Sequence, residues 1–252
     1  MSATLADAAT GDVSAITGFV ADTITFSNVD GPGNRFVVFL QGCNFDCVAC
    51  HNPQTIPLAI GEHFRTSVAD LLPRIRRAAP FLRGITVSGG EATLQPDFVH
   101  ALFSAVQADP ELARLDCFVD SNGTADDATW HRLAPVTHGT MIDLKCFDPD
   151  IHEQMTGQSN APVLHSIELL HGMGLLYEVR LLILQGVNDD PALLRRTGEW
   201  LASVDPAMRV KMIAFRAHGA RPHEPALVPP SHEALEAAAA NLQVADLQLC
   251  LV

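Results

Sequence analysis

The chain has 252 residues, 48% of them apolar, enough for one large domain or two small ones and too many for a disordered polypeptide. Lys and Arg number 16 against 29 Asp and Glu, a net charge of -13, which argues against a general nucleic-acid binder because phosphate backbones reward clustered positive charge. No apolar run reaches the roughly 18 residues of a membrane span. Arg35 is the first basic residue, so the amino terminus has neither the basic region of a signal peptide nor a twin-arginine motif. Cytoplasmic residence, with no membrane and no nucleic-acid partner, is the expectation.

Residues 1–17, rich in Ala, Thr, Ser and Asp, read as a weakly structured tail ahead of one domain over 18–252. Asp30-Gly31-Pro32-Gly33-Asn34-Arg35 is a turn cluster feeding the buried-strand run at 36–40. Ser67-Val68-Ala69-Asp70 has the form of a capping box before a helical pattern over 68–79. A strand at 85–87 runs into Ser88-Gly89-Gly90-Glu91, and Pro96 opens a helix of about a dozen residues. Strands follow at 115–119, 140–144, 177–184 and 209–215. Helices are expected near 126–134, 149–155, 161–173 and 191–203, then an Ala-rich helix at 232–242 and a short strand at 247–251. Six strand–helix alternations predict an α/β fold with a parallel sheet, a partial (β/α)6 TIM-like barrel, and no linker divides it.

The stretch from Gln41 to Pro53 follows the first of those parallel strands, where α/β folds carry their chemistry. Cys43, Cys47 and Cys50 stand there at the spacing C-x3-C-x2-C, and the next cysteine is Cys117. Three thiolates can hold three irons of a cubane [4Fe–4S] cluster and leave the fourth iron open, whereas closed ferredoxin-type clusters use four cysteines. Zinc would want a fourth ligand. His51 is adjacent to Cys50, and neighbouring residues rarely both reach one tetrahedral ion. Disulfides are disfavoured by the tight bunching.

The other strand ends carry polar groups. Gly89 and Gly90 could expose backbone groups to a small zwitterion, or simply make a tight turn. Asp120, Asp143 and Lys145 sit at the ends of apolar strands, where charge is costly unless paired or bound. Asp143 and Lys145 share a face and form either an internal ion pair or a site in which Lys145 meets a carboxylate and the aspartates meet a cation or amine. Arg180, inside an apolar strand, either snorkels to the surface or contacts an anion or substrate. Among 11 histidines only His51 is distinguished by position, and Cys117, Cys146 and Cys250 are scattered singly.

Taken together, the cysteine loop, the 30–35 turn, Gly89-Gly90-Glu91, Asp120-Ser121-Asn122-Gly123 and Met141-Ile142-Asp143-Leu144-Lys145 resemble the radical SAM enzymes, and within them the glycyl-radical-enzyme activases, over roughly residues 20–215. The resemblance implies a [4Fe–4S] cluster on Cys43, Cys47 and Cys50, with S-adenosylmethionine chelating the open iron. It implies Gly89, Gly90 and Glu91 at the methionine amino end, Lys145 at its carboxylate, and a monovalent cation among Asp120, Ser121, Met141 and Asp143. His51, Arg180 and Arg216 complete the expected cofactor contacts. Reductive cleavage would give a 5′-deoxyadenosyl radical that takes a hydrogen from a glycine of a partner glycyl radical enzyme. Flavodoxin or ferredoxin is the implied electron donor, and an oxygen-sensitive monomer the implied state.

Three departures from that pattern stand out. Ala49 replaces the usual aromatic before the third cysteine. Arg216, with His218 nearby, stands where a His is usual. Residues 51–84 lack the ferredoxin-like cysteine insert, which argues for a single cluster. The alternatives are a radical SAM enzyme for a small molecule or peptide, and a non-catalytic iron–sulfur or zinc module.

Overall fold

The computed structural model describes residues 13–58, 61 and 64–252. Of the expected tail, residues 1–12 lie outside the described residues, Val13–Ala15 form one 3-10 turn, and Thr17 already begins a strand. The elements in order are β1 (Thr17–Ser27), β2 (Arg35–Leu40), β3 (Arg65–Ser67), α1 (Val68–Ala78), β4 (Gly84–Gly89), α2 (Pro96–Ala108), β5 (Asp116–Ser121) and α3 (Asp127–Leu133). There follow β6 (Gly139–Asp143), α4 (Pro149–Thr156), α5 (Ala161–Gly172), β7 (Leu176–Ile183), α6 (Pro191–Val204), β8 (Arg209–Ala214), α7 (His232–Leu242) and β9 (Gln248–Leu251).

One sheet contains every strand, in the order β3-β1-β2-β4-β5-β6-β7-β8-β9. From β2 to β9 each neighbouring pair is parallel, while β1 pairs antiparallel with both β2 and β3. The six alternating units expected from the sequence are therefore present as a partial barrel with unjoined edges. The strands are apolar runs because both faces are covered: Val37, Val38, Ile85, Val87, Val119, Ile142, Val179 and Val210 are all buried. Leu71, Ile75, Leu102, Val106, Ile167 and Leu201 supply the helical side of the same core.

Local signals fix several boundaries. Ser67 Oγ accepts from the Asp70 N–H while Asp70 returns a carboxylate to the Ser67 N–H, a reciprocal cap on α1. Asp148 caps α4 and Asp190 caps α6, each followed by a proline that needs no N–H partner.

The two strands not expected, β1 and β3, matter for the architecture. Because β1 runs back toward the start of β2, residues 28–34 cross the floor of the barrel. The Val29 carbonyl accepts from Arg180 on β7 at 3.3 Å and from Lys211 on β8 at 3.0 Å, which ties the floor loop to the far side of the sheet. Beside it Arg35 is fully buried, donating to Thr86 Oγ1 and to the carbonyls of Pro32, Ile85 and Asp116, with its guanidinium 4.4 Å from the Phe118 ring centroid. Among the described residues no helix is long and apolar enough to cross a membrane.

Candidate active site

The loop after β2 is held from two sides. Its Gly42 and Cys43 N–H groups donate to the carbonyls of Thr55 and Ile56, and its Asp46 and Val48 N–H groups donate to those of Thr156 and Met155 at the end of α4. Those four bonds pin the three cysteines to the carboxyl-terminal end of the parallel strands. Cys43, Cys47 and Cys50 are all half-buried, unpaired and lining one cavity of about 250 Å3.

The donor chemistry fits an iron–sulfur cluster. Burial pushes the Cys43 thiol up to about 12 and the Cys47 thiol up to about 11, so neither ionises alone near neutral pH. Metal coordination removes that barrier, because a ligating thiol is deprotonated outright. Among the described residues no three His, Cys, Asp or Glu side chains gather as a single ion requires. A cubane offers each thiolate its own iron and does not ask them to. Asn122 Nδ2 lies 3.9 Å from Cys43 Sγ and donates to Asn44 Oδ1 at 2.8 Å, a neutral donor beside the thiol that the sequence reading passed over.

Gly89 and Gly90 line the cavity, but their reason for being glycine is contact with the loop. A Cβ at Gly89, whose φ is 115°, would fall 2.1 Å from the Leu40 nitrogen, and one at Gly90 would fall 2.1 Å from the Gly42 carbonyl oxygen. The Gly90 and Glu91 N–H groups donate to Leu40 and Gly42 carbonyls. Those two N–H groups are therefore taken up within the frame.

Glu91 is placed differently from the expectation. It is 1% exposed and is not among the residues lining the cavity. Its Oε1 accepts from Thr93 N–H, Thr93 Oγ1 and Ser121 Oγ, and its Oε2 from the Asn122 N–H at 2.7 Å. Burial raises its carboxyl above the usual range while those donors pull it back. Glu91 joins the ends of β4 and β5. Its contact is with the frame, not with the space a ligand would fill.

Lys145 and Asp143 form an internal ion pair, Nζ to Oδ2 at 2.6 Å, on the cavity wall. Burial by itself would lower the ammonium, but Asp143, with Cys47 and Asp120 near, holds it above its ordinary value. Both readings of this pair survive, since a wall-lining pair can also meet a ligand. Arg180 does not snorkel: it is 7% exposed, bonded through Nε to Glu178 at 2.8 Å and through Nη1 to Asp120 at 3.1 Å. Burial raises the Asp120 carboxyl although Arg180 pulls it down. Ser88 Oγ donates to the other Asp120 oxygen at 2.8 Å.

The four side chains expected around a monovalent cation are engaged elsewhere. Arg180 Nη2 lies 2.7 Å from Met141 Sδ, Arg180 also holds Asp120, Lys145 holds Asp143, and Ser121 Oγ donates to Glu91. Met141 is fully buried and is not among the lining residues. Two side-chain cations thus stand against the donors of that set.

His51 lines the cavity, stacked on Phe215 with ring centroids 5.8 Å apart, and its Nε2 lies 2.8 Å from the Arg216 carbonyl. Arg216 contributes that carbonyl; its side chain is exposed and does not line the cavity, so it is not brought to the site. Ala49 is buried among Cys146, Met155, Leu184, Leu193 and Phe215. Cys117 and Cys146 are buried and Cys250 is exposed. The sequence reading also missed Asp30 on the cavity wall, and Asn188, whose Nδ2 donates to the Lys145 carbonyl at 2.9 Å. Only long-range packing reveals them.

Comparison with known proteins gives the same direction. A family described as the radical SAM superfamily matches residues 37–196. The chain is 34% identical over 213 residues to a pyruvate formate-lyase-activating enzyme of Streptococcus mutans, covering 82% of this chain and 81% of that one. It is 32% identical over 219 residues to a Haemophilus influenzae protein whose name refers to glycyl-radical enzyme activation, covering 79% and 82%. A radical SAM methyltransferase from Sphaerobacter thermophilus shares the fold at a TM-score of 0.64 and 17% identity, over 86% of this chain and 66% of that one.

Proposed function

The chain belongs to the radical SAM superfamily, and from that premise we propose that it is an oxidoreductase activating a glycyl radical enzyme. Membership brings a [4Fe–4S] cluster and S-adenosylmethionine. Cys43, Cys47 and Cys50 would hold the cluster. When bound and supplied with one electron by an external donor, the pair would provide reductive S–C5′ cleavage and, through it, hydrogen-atom abstraction from a glycine of the partner.

The observation that carries this reading is the convergence of the three cysteines with Gly90, Asp143 and Lys145 on one cavity. The chain's own residues do the binding and screening. Lys145 would present its ammonium to the methionine carboxylate while Asp143 keeps it charged and oriented. Carbonyl oxygens near Gly89 and Gly90 would accept from the methionine amine. The stacked His51 and Phe215 rings would border the nucleoside. Asp30, Asp120 and Asp143 outnumber Lys145 and Arg180 on the wall, which suits a ligand carrying a sulfonium and an amine. No step is given to a monovalent cation, since Arg180 and Lys145 already face its expected donors. The reading also takes flavodoxin or ferredoxin as the electron donor, and a monomer working in the cytoplasm.

The test is anaerobic reconstitution, reduction with dithionite and addition of S-adenosylmethionine, with iron, sulfide and 5′-deoxyadenosine quantified. Iron near four per chain, deoxyadenosine lost in Cys47→Ala, and a glycyl radical signal on a pyruvate formate-lyase would sustain it. Deoxyadenosine without any radical on a glycyl radical enzyme would move the chain to a small-molecule or peptide substrate. Zinc in place of iron would end the enzyme reading.

A further inference from the structure

Of the three loop cysteines, only Cys43 has hydrogen-bond donors at its sulfur among the described residues. The Phe45 N–H donates to it at 3.4 Å from within the loop, and Asn122 Nδ2 lies 3.9 Å away on the neighbouring strand end. Asn122 directly follows β5, is 7% exposed and lines the cysteine cavity. The cofactor contacts assigned to that cavity leave its side chain unused.

A closed ring of three side chains sets the orientation of this amide. Asn122 Nδ2 donates to Asn44 Oδ1 at 2.8 Å, Asn44 Nδ2 to Thr124 Oγ1 at 2.7 Å, and Thr124 Oγ1 to Asn122 Oδ1 at 2.7 Å. The Thr124 N–H adds a second donor to Asn122 Oδ1 at 3.1 Å. Turning the Asn122 amide over would set its NH2 against that N–H. An amide nitrogen carries two hydrogens, so one serves Asn44 and the other is left for Cys43 Sγ. Glu91 Oε2 accepts from the Asn122 N–H at 2.7 Å and anchors the same residue to the frame.

Such a donor does little for a thiol and more for a thiolate, because a hydrogen bond to an ionised acceptor is about twice as strong as a neutral one. When a cluster held by Cys43, Cys47 and Cys50 takes up one electron, the negative charge on its sulfurs grows. A fixed N–H at Cys43 Sγ then favours the reduced state, as hydrogen bonds to the sulfurs tune cluster potentials. We infer that Asn122 is a positioning residue for Cys43 whose amide, held by Asn44 and Thr124, makes the cluster easier to reduce. This inference rests on the three cysteines holding a cluster and is independent of which substrate the radical chemistry serves.

The experiment is a redox titration of the anaerobically reconstituted protein without S-adenosylmethionine, the reduced cluster being followed by electron paramagnetic resonance. Asn122→Leu keeps the volume and removes the donor. It is expected to lower the one-electron reduction equilibrium constant ~5-fold, which is about 40 mV toward negative potential. Thr93→Val is the control: it removes a hydroxyl donor from the other oxygen of Glu91, loosening the same frame without touching a sulfur. It should lower the melting temperature and leave the potential in place. If Asn122→Leu does not take up iron, Asn122→Ala is read in the same way. The unaltered chain gives a second reading that needs no variant: asparagine isotopically labelled at its side-chain nitrogen should show a coupling to the reduced cluster in pulsed resonance. A potential unchanged without the amide, an equal shift in Thr93→Val, or no coupling would each overturn the inference while the activase reading stands. An unaltered chain that holds no iron–sulfur cluster would end both together.

Discussion

Two buried arginines, one beneath the starts of β4 and β5 and one on the cavity wall, show how the same side chain serves different ends. Arg35 meets only neutral partners, three carbonyls, a hydroxyl and the Phe118 ring, and burial pushes its guanidinium down to about 10. Arg180 meets two carboxylates, Asp120 and Glu178, which outweigh burial and raise it above its ordinary value. Arg35 ties the Pro32 carbonyl in the turn at 30–34 to the Ile85 and Asp116 carbonyls near the starts of β4 and β5. Arg180 sits in a charged network on the cavity wall, where each member is held by the next. The bonding around Arg35 is neutral and complete; around Arg180 it is ionic and opens onto the cavity wall.

The largest effect should come from breaking the ionic side. Arg180→Met leaves Asp120 and Glu178 buried without their cation, and S-adenosylmethionine cleavage per folded molecule should fall ~100-fold through the misplacement of the cavity wall. Steady-state deoxyadenosine formation with protein of verified iron content measures it. Removing the neutral side should do something else. Arg35→Met strips the hydrogen bonds from the Ile85 and Asp116 carbonyls and should cost about 3 kcal/mol in urea unfolding. Its activity per folded molecule should remain within a few-fold of the parent. Equal losses of activity in both variants would dissolve the contrast.

A buried carboxylate at the mouth sharpens the same comparison. Glu91 behaves like Arg35: it is enclosed and four donors meet its two oxygens. Glu91→Gln keeps an acceptor for Oε1's partners but sets an NH2 against the Asn122 N–H. Stability should drop by about 2 kcal/mol, with a smaller change in the affinity for S-adenosylmethionine than any substitution of Lys145 would give. Calorimetry of cofactor binding beside urea unfolding separates the two. A large loss of affinity at unchanged stability would return Glu91 to the role first expected for it.

Much of this was legible from local sequence, and what was not has a common cause. The parallel strands are continuous apolar runs and the helices begin at caps and prolines, so residue type alone marks them. β1 escaped because its burial alternates imperfectly along Thr17–Ser27, as suits an antiparallel edge strand with a partly exposed face. β3 is three residues long and exists only because β1 is there to pair with it. At the site, cysteine spacing declared the metal chemistry. The roles of Glu91 and Arg180 depended on which side chains the topology delivers from β5, β6 and the floor loop, and no periodicity encodes that. Arg216 illustrates the limit: its position in the chain matched, but its side chain turns to solvent and only its carbonyl reaches His51.

The smallest predicted effect concerns a histidine that the sequence reading set aside with the rest. His152 is fully buried on α4, edge-on to Phe45 of the cysteine loop with ring centroids 5.6 Å apart. Its Nδ1 lies 3.2 Å from the Cys146 carbonyl and so carries the hydrogen, while Nε2 has no partner among the described residues. Burial lowers its pKa from the ordinary 6.5, so the unfolded chain takes up a proton before the folded one does. Stability from this group is complete above about pH 6.5 and is lost as pH falls toward the folded value, with a slope of at most about 1.4 kcal/mol per pH unit. His152→Phe removes both the titration and the orphaned nitrogen, and Asn160 still donates to the Cys146 carbonyl at 3.3 Å. Urea unfolding between neutral pH and about pH 5 should therefore show the variant near the parent at neutral pH and flatter below it. The same acid slope in both proteins would mean that other groups set it.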